Sequence, residues 1–227
     1  MFSGVTANTS KHLQLDAGAF LKNFDPATDT WESAKATKLI GATAGGGSFA
    51  AVPTIRRIEV DGVKGATKGF EALDEWQVTM TANVKEITAE ALKMALATGT
   101  SEDVKSPSSA ASENYTKITA ANEIADTDYI DNITWIGRLS GSDQPVMIVM
   151  FNALCTNGLT LTTADKAEGV IALTLTGHYT ITDLDTPPFE IYYPILNSWV
   201  GIRRHYAQTD HRRCVRACPR HQGVGNA

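Results

Sequence analysis

The sequence predicts a mainly β fold, a β-sandwich or barrel with one flanking α-helix, and three stretches carry that expectation. Residues 75–85 place Trp76, Val78, Met80, Ala82 and Val84 on one face and Gln77, Thr79, Thr81, Asn83 and Lys85 on the other. Alternation of this length marks a half-buried strand, because successive side chains of extended backbone point to opposite faces. Residues 169–181 repeat the pattern, with Ile171, Leu173 and Leu175 set against Ala172, Thr174, Thr176 and His178. Between them, residues 145–154 are apolar on both faces, which suits a central strand covered from both sides.

The remaining elements follow in the same way. Residues 55–60 and 129–139 read as strands from their β-branched and aromatic content. Residues 165–169 read as the loop of a hairpin that joins a strand at 159–163 to the one that follows. One helix is expected over about residues 88–98. Thr88 is its N-cap, Glu90 sits near the positive end of its dipole, and Gly99 ends it. Leu92, Ala95 and Leu96 give it a short apolar stripe. Three segments read as arms or loops: an extended N-terminal arm before Leu13, a flexible connection at 43–48, and a Ser-rich polar loop at 98–112.

A chain of 227 residues can bury a real core as one β-rich domain, expected here over 13–194. Three cysteines are an odd count, which argues against a disulfide framework and for synthesis in a reducing cytoplasm. The first residues carry neither a basic nor an apolar segment, so no signal peptide is expected. No apolar run has membrane-spanning length, so no membrane insertion is expected either. Charge is divided unevenly. Of 20 basic residues six are arginines after position 202, and of 25 acids only Asp210 lies there, so residues 1–202 hold 14 basic and 24 acidic groups. An acidic body of this kind repels nucleic acid rather than holding it. The segment 195–227 reads as a basic extension without periodicity, expected to be disordered.

Enzyme constellations are sparse, and no catalytic site is expected. Gly45, Gly46 and Gly47 lack the strand before, the helix after and the Lys-Ser/Thr that a phosphate loop needs. His178 lies on the polar face of a strand, where a solvated or pore-facing role suits it better than general-base chemistry. The carboxylates Asp126, Asp128 and Asp131, and the pair Asp183 and Asp185, lack the glycine and terminal Glu of a calcium loop and read as turn residues. Metal-like spacing occurs once, in the basic extension, where His211, Cys214, Cys218 and His221 offer two thiolates and two imidazoles to a zinc ion. The Cys spacing is loose and no strand or helix organises the four, so neither a metal nor any other cofactor is expected.

Several stretches, in order, resemble the major tail proteins of siphophages and related prophages of Gram-positive hosts. They are L-Q-L-D-A-G-A-F-L at 13–21, I-E-V-D-G-V-K-G at 58–65 with Lys68 and Gly69, residues 87–96, residues 128–137, and G-H-Y at 177–179 through P-P-F-E-I-Y-Y-P at 187–194. The resemblance implies a structural virion protein of the phage tail. Its fold would be a β-sandwich or barrel shared with type VI secretion tubes. Its subunits would form stacked hexameric rings around a tape-measure protein, with tail-tip and terminator proteins at the ends, and DNA passing through without specific binding. Synthesis would be in the bacterial host cytoplasm.

Read against that resemblance, the polar faces with Gln77, Thr79, Thr81 and Asn83, and with Thr174, Thr176 and His178, would line an acidic, hydroxyl-rich bore. The connection from Val60 to Trp76, with Asp61, Gly62, Lys64, Gly65 and Lys68, reads as a projecting assembly hairpin or an ordinary surface hairpin. Two alternatives stand beside the tail tube: a type VI secretion-like tube or tail adaptor, and a carbohydrate-binding β-sandwich module. The latter needs an exposed aromatic platform, whereas Trp31, Trp76, Trp135 and Trp199 are scattered among apolar patterns.

Overall fold

The computed structural model describes residues 2–105 and 114–195. It is mainly β, with a large antiparallel sheet and two short helices in a sandwich-like arrangement. The elements, in chain order, are β1 (Ala19–Lys22), α1 (Trp31–Thr37), β2 (Thr43–Arg57), β3 (Glu71–Val84), α2 (Ala89–Ala95), β4 (Gly99–Lys105), β5 (Asn114–Ala120), β6 (Ile130–Gly137), β7 (Val146–Cys155), β8 (Leu161–Ala164), β9 (Ala167–Gly177) and β10 (Phe189–Tyr192).

The large sheet runs β1-β6-β7-β9-β3-β2, with β8 on β9 and β10 on β7. Its two ends contribute to one core. Phe20, Ile133 and Met150 from β1, β6 and β7 are buried in the same cluster as Val78, Met80, Val84, Ile171, Leu173 and Leu175 from β3 and β9. The strand that passes between the two halves is β7. From Val146 to Ala153, Asn152 excepted, it pairs with β6, and Leu154 and Cys155 then pair with β9. At the break in the β6 ladder, two residues before the β9 pairing begins, stands Asn152 at φ +47°, a left-handed position that Asn tolerates better than most residues. Its amide donates to the His178 carbonyl and the Thr180 hydroxyl, which fixes the bend. The apolar run read as a central strand is therefore central, flanked by β6, β10 and β9. Burial pushes the Cys155 thiol up.

The expected helix is present but shorter. Thr88 caps α2 by accepting the Ala91 N–H at 3.1 Å, and Ala91 and Ala95 are buried. Chain reversal comes at Ala97, φ +60°, rather than at Gly99. Gly99 already belongs to β4, and a Cβ there would lie 2.7 Å from the Lys93 carbonyl oxygen, so the residue is small because backbones meet. The segment at 98–112 is likewise a strand over its first part rather than a loop. β4 pairs with β5 in a separate two-stranded ribbon, through Gly99↔Ala120 to Lys105↔Asn114.

The stretch at 43–48 is not a flexible connection: it opens β2. A register irregularity lies between Thr43 and Gly47, with Gly45 and Gly46 at φ near +70°. These glycines permit a bulge inside a paired strand. The second helix, α1, lies where no element is expected from the sequence. Thr30 accepts the Ser33 N–H while Ser33 accepts the Thr30 N–H, a reciprocal cap with Ser in place of the usual Glu. Leu21, Phe24, Ala34 and Ile136 form a small second core beneath it.

The loop before α1 is tied electrostatically. Asp29 accepts the Asp25 N–H at 2.8 Å and pairs with Lys38, and both interactions hold its carboxyl below the ordinary 3.8. Asp25 is held down similarly, first by the Thr28 hydroxyl and then by the Ala27 N–H. A carboxyl whose folded pKa is depressed stabilises the fold above its unfolded pKa, and that contribution is lost as pH falls through the folded value. Denaturant unfolding is thus expected to show stability declining as pH drops from neutral to below 3.8. Asp29→Asn should make the decline shallower. An unchanged slope in that variant would remove Asp29 from this account.

Candidate assembly surface

Alternation places one face of β3 and β9 in the core and the other outside, and register aligns the outer residues. Thr79 lies opposite Thr176 and Thr81 opposite Thr174. On the other side of β3, Ser48 lies opposite Thr81 and Ala50 opposite Thr79. Directly opposed residues share a face, so Ser48, Thr81 and Thr174 form one row across three strands. The hydroxyls of Ser48 and Thr81 are 2.6 Å apart, and those of Thr156 and Thr176 are 2.9 Å apart. Asn157 bridges the strand ends, donating to the Ala172 carbonyl and accepting the Thr174 N–H, both at 3.0 Å. Gln77 and Asn83 are exposed at either end of the β3 row.

Ser48, Thr156 and Asn157 belong to this face and were not among the residues expected there. Ser48 was hidden by the glycine run, and Thr156-Asn157 by the apolar strand that ends just before it. His178 sits apart: its Nδ1 is 3.0 Å from the Asn152 carbonyl oxygen, and its ring stands edge-on to Tyr129 at 5.2 Å. Between Gln77 and Asn83 the face is uncharged rather than acidic. Its carboxylates stand at the ends, Glu75 beside Thr54 and Gln77, and Glu168 paired with Lys85.

A second surface lies at the far end of β2 and β3. The ladder extends well past the core, to Arg57↔Glu71 and then to the Ile58 N–H donating to the Phe70 carbonyl at 2.9 Å. A bulge between Thr54 and Ile55 brings Ile55 opposite Leu73. In β2, Ile55 follows Phe49 and Ala51 on the inward face, yet it is 59% exposed, and Leu73 is 54% exposed. The apolar face thus continues where the opposing half of the sheet has ended. Beyond it Val60, 47% exposed, leads into the turn. Of the predicted loop residues, Asp61, Gly62, Lys64, Gly65 and Lys68 are all exposed, and Gly62 and Gly65 have φ near +85° with open space at the Cβ position.

The third feature is the seam between the two ends of the sheet path. β2 pairs only with β3 among the described strands, leaving the other side of fifteen residues without a strand partner. A cavity of about 570 Å³ opens along it, lined by Phe20, Gly47, Phe49, Met80, Trp135 and Ile148. Pro53 and the Thr43–Gly47 irregularity interrupt that edge, as edges that must not pair indiscriminately often are.

No protein-family model matches the chain, and no curated protein sequence does. The described residues hold no group of three or more His, Cys, Asp or Glu placed to bind a metal. Asp183 instead accepts the N–H groups of Asp185 and Thr186, and Asp128 accepts that of Ala125, so these carboxylates organise turns. His211, Cys214, Cys218 and His221 lie outside the described residues, as does the whole basic extension from 196 onward. No helix of the described residues is long and apolar enough to cross a membrane.

Proposed function

We propose that this chain is a tail tube subunit of a long-tailed bacteriophage, assembling into stacked, hexameric rings through which DNA passes. The observation that carries the reading is the β2–β3 hairpin, whose inward face stays apolar beyond the end of the core. A monomer gains nothing from exposing Ile55 and Leu73 side by side, whereas a neighbouring subunit can bury them. The single-partnered β2 edge supports the same reading, because a repeated heterologous contact closes a ring and a free edge supplies one. The hydroxyl face of β3 and β9 suits a bore: uncharged and hydrogen-bonding, it offers phosphates no cation to hold.

In this reading the partners are further copies of the chain, a tape-measure protein inside the tube, and terminator and tip proteins at its ends. The location is the virion tail. The purified full chain, concentrated and imaged by negative-stain electron microscopy, is expected to give rings or tubes with a central channel. A chain that sediments as a monomer at every concentration and ionic strength would sink the proposal.

A further inference from the structure

The structure assigns a second site, unrelated to the hairpin: an open cleft of about 730 Å³ between the 14–18 strap, α1 and the β6–β7 turn. Its apolar wall comes from Phe24, Ile136 and Met147 together with Trp31, the first residue of α1, which is 42% exposed. Its polar rim comes from Asp16, Asp29, Arg138, Asp143 and Gln144. We infer that this cleft binds a carbohydrate of one or two sugar rings.

Three features of the cleft argue for that ligand class. The first is permanence. Gly18 and Gly137 line the floor, and both are pressed against Trp135: a Cβ on Gly18 would stand 2.3 Å from its Nε1, and one on Gly137 2.1 Å from its ring. Gly18 also has φ +70°. Neither glycine can be replaced without displacing the Trp135 ring, which fixes this part of the cleft in place. The 14–18 strap is also pinned, since Asp16 accepts the Arg138 N–H and Ala17 accepts the Trp135 indole N–H, each at 3.1 Å.

The second feature is the chemistry of the rim. Asp29 is already engaged by Lys38 and the Asp25 N–H. The side chains of Arg138, Asp143 and Gln144 make no hydrogen bond among the described residues, and all three are exposed. They present a cationic donor, an anionic acceptor and an amide that does both. A purely apolar guest would strip water from that carboxylate and guanidinium without return. An anion would meet three aspartates, and a cation would meet Arg138. A polyol satisfies donor and acceptor alike.

The third feature is the aromatic face. The Thr30–Ser33 cap fixes the backbone at Trp31, the first residue of α1, and the Trp31 side chain lines the cleft while 42% exposed. A sugar's C–H face packs on such a ring while its hydroxyls reach the rim. The size agrees with a ligand site and leaves room for one or two rings.

The test uses the unassembled full chain, so it stands or falls separately from tube formation. Titration calorimetry with chitobiose, cellobiose and lactose should detect at least one with a Kd on the order of 1 mM. Ligand-observed NMR with the same sugars gives an independent readout. Trp31→Ala should weaken that binding at least tenfold, and Asp143→Asn severalfold, with the far-ultraviolet circular dichroism of both unchanged. Absence of binding by all three sugars at about 20 mM would overturn the inference. So would binding that Trp31→Ala leaves intact. A third adverse result is that Trp31→Ala abolishes ring formation while the wild-type chain ignores the sugars, which would make the cleft a contact between copies.

Discussion

Replacing Gly47 with alanine is expected to cost about 3 kcal/mol, an unusually large penalty for one methyl group at a strand position. A Cβ there would lie 2.1 Å from the Thr81 carbonyl oxygen and 2.5 Å from Phe20 Cζ. The first of these is backbone, held in the β2–β3 ladder by the pairing on either side of it. The second is a ring that is 1% exposed, packed in the middle of the core. Neither can retreat without breaking strand pairing or opening a void. Thermal unfolding should register a drop of roughly 6–12 °C for a chain of this size. Gly45→Ala is the control. Its Cβ meets nothing, so it loses only the left-handed backbone preference, about 1 kcal/mol. Phe20→Ala alone should cost about 3–5 kcal/mol. It should not rescue Gly47→Ala, because the closer contact is the Thr81 carbonyl. Equal effects of Gly45→Ala and Gly47→Ala would show that β2 is looser than described.

The same glycines show where sequence reading ends. Period-two alternation was enough to identify β3 and β9, and an apolar run enough for β7, because each has at least one face that must be buried. The glycine run carried no such pattern and read as a loop, although each glycine serves a paired strand. β4 and β5 escaped for a related reason: they pair only with each other, so their residues are mostly exposed and nothing forces alternation. β1 has only four residues, too few to establish a period, yet it contributes Phe20 and Leu21 to two separate cores. α1 offered a signal in Thr30 and Ser33, but its only buried residue is Ala34, so no apolar stripe accompanied the cap.

The candidate surfaces were legible to different depths. The threonines of β3 and β9 can be read as one polar face from alternation, but that Thr81 stands between Ser48 and Thr174 is set by register across strands far apart in sequence. His178 has the parity of Thr174 and Thr176. Its ring is nevertheless committed to Asn152 and Tyr129, because β7 bends at Asn152 and brings that carbonyl within reach. The exposure of Ile55 and Leu73 cannot be read locally, since it depends on where the opposing half of the sheet stops. Trp31 is the counterpart in the cleft. It shares the cleft lining with residues of the β6–β7 turn, and no pattern around residue 31 announces that.

Exposure of the hairpin leads to the second large effect, on assembly rather than on folding. The double variant Ile55→Lys, Leu73→Glu is expected to abolish rings and tubes while the monomer unfolds within about 2 °C of wild type. The two positions are direct cross-strand partners, so the introduced charges face each other and keep the pair favourable. Both residues are already more than half exposed, so the monomer loses little burial. A neighbour that had covered them would instead have to bury a lysine and a glutamate, which costs several kcal/mol per contact when the pair is desolvated. Repeated at every subunit, that penalty prevents growth of the assembly. Analytical ultracentrifugation separates the outcomes, with a wild-type chain that sediments as large species and a variant that stays monomeric. Conservative Ile55→Val should assemble normally, which distinguishes loss of an apolar contact from damage to the hairpin. If the double variant forms tubes as readily as wild type, the hairpin face is not a contact surface, and subunit contacts must be sought at the β2 edge instead.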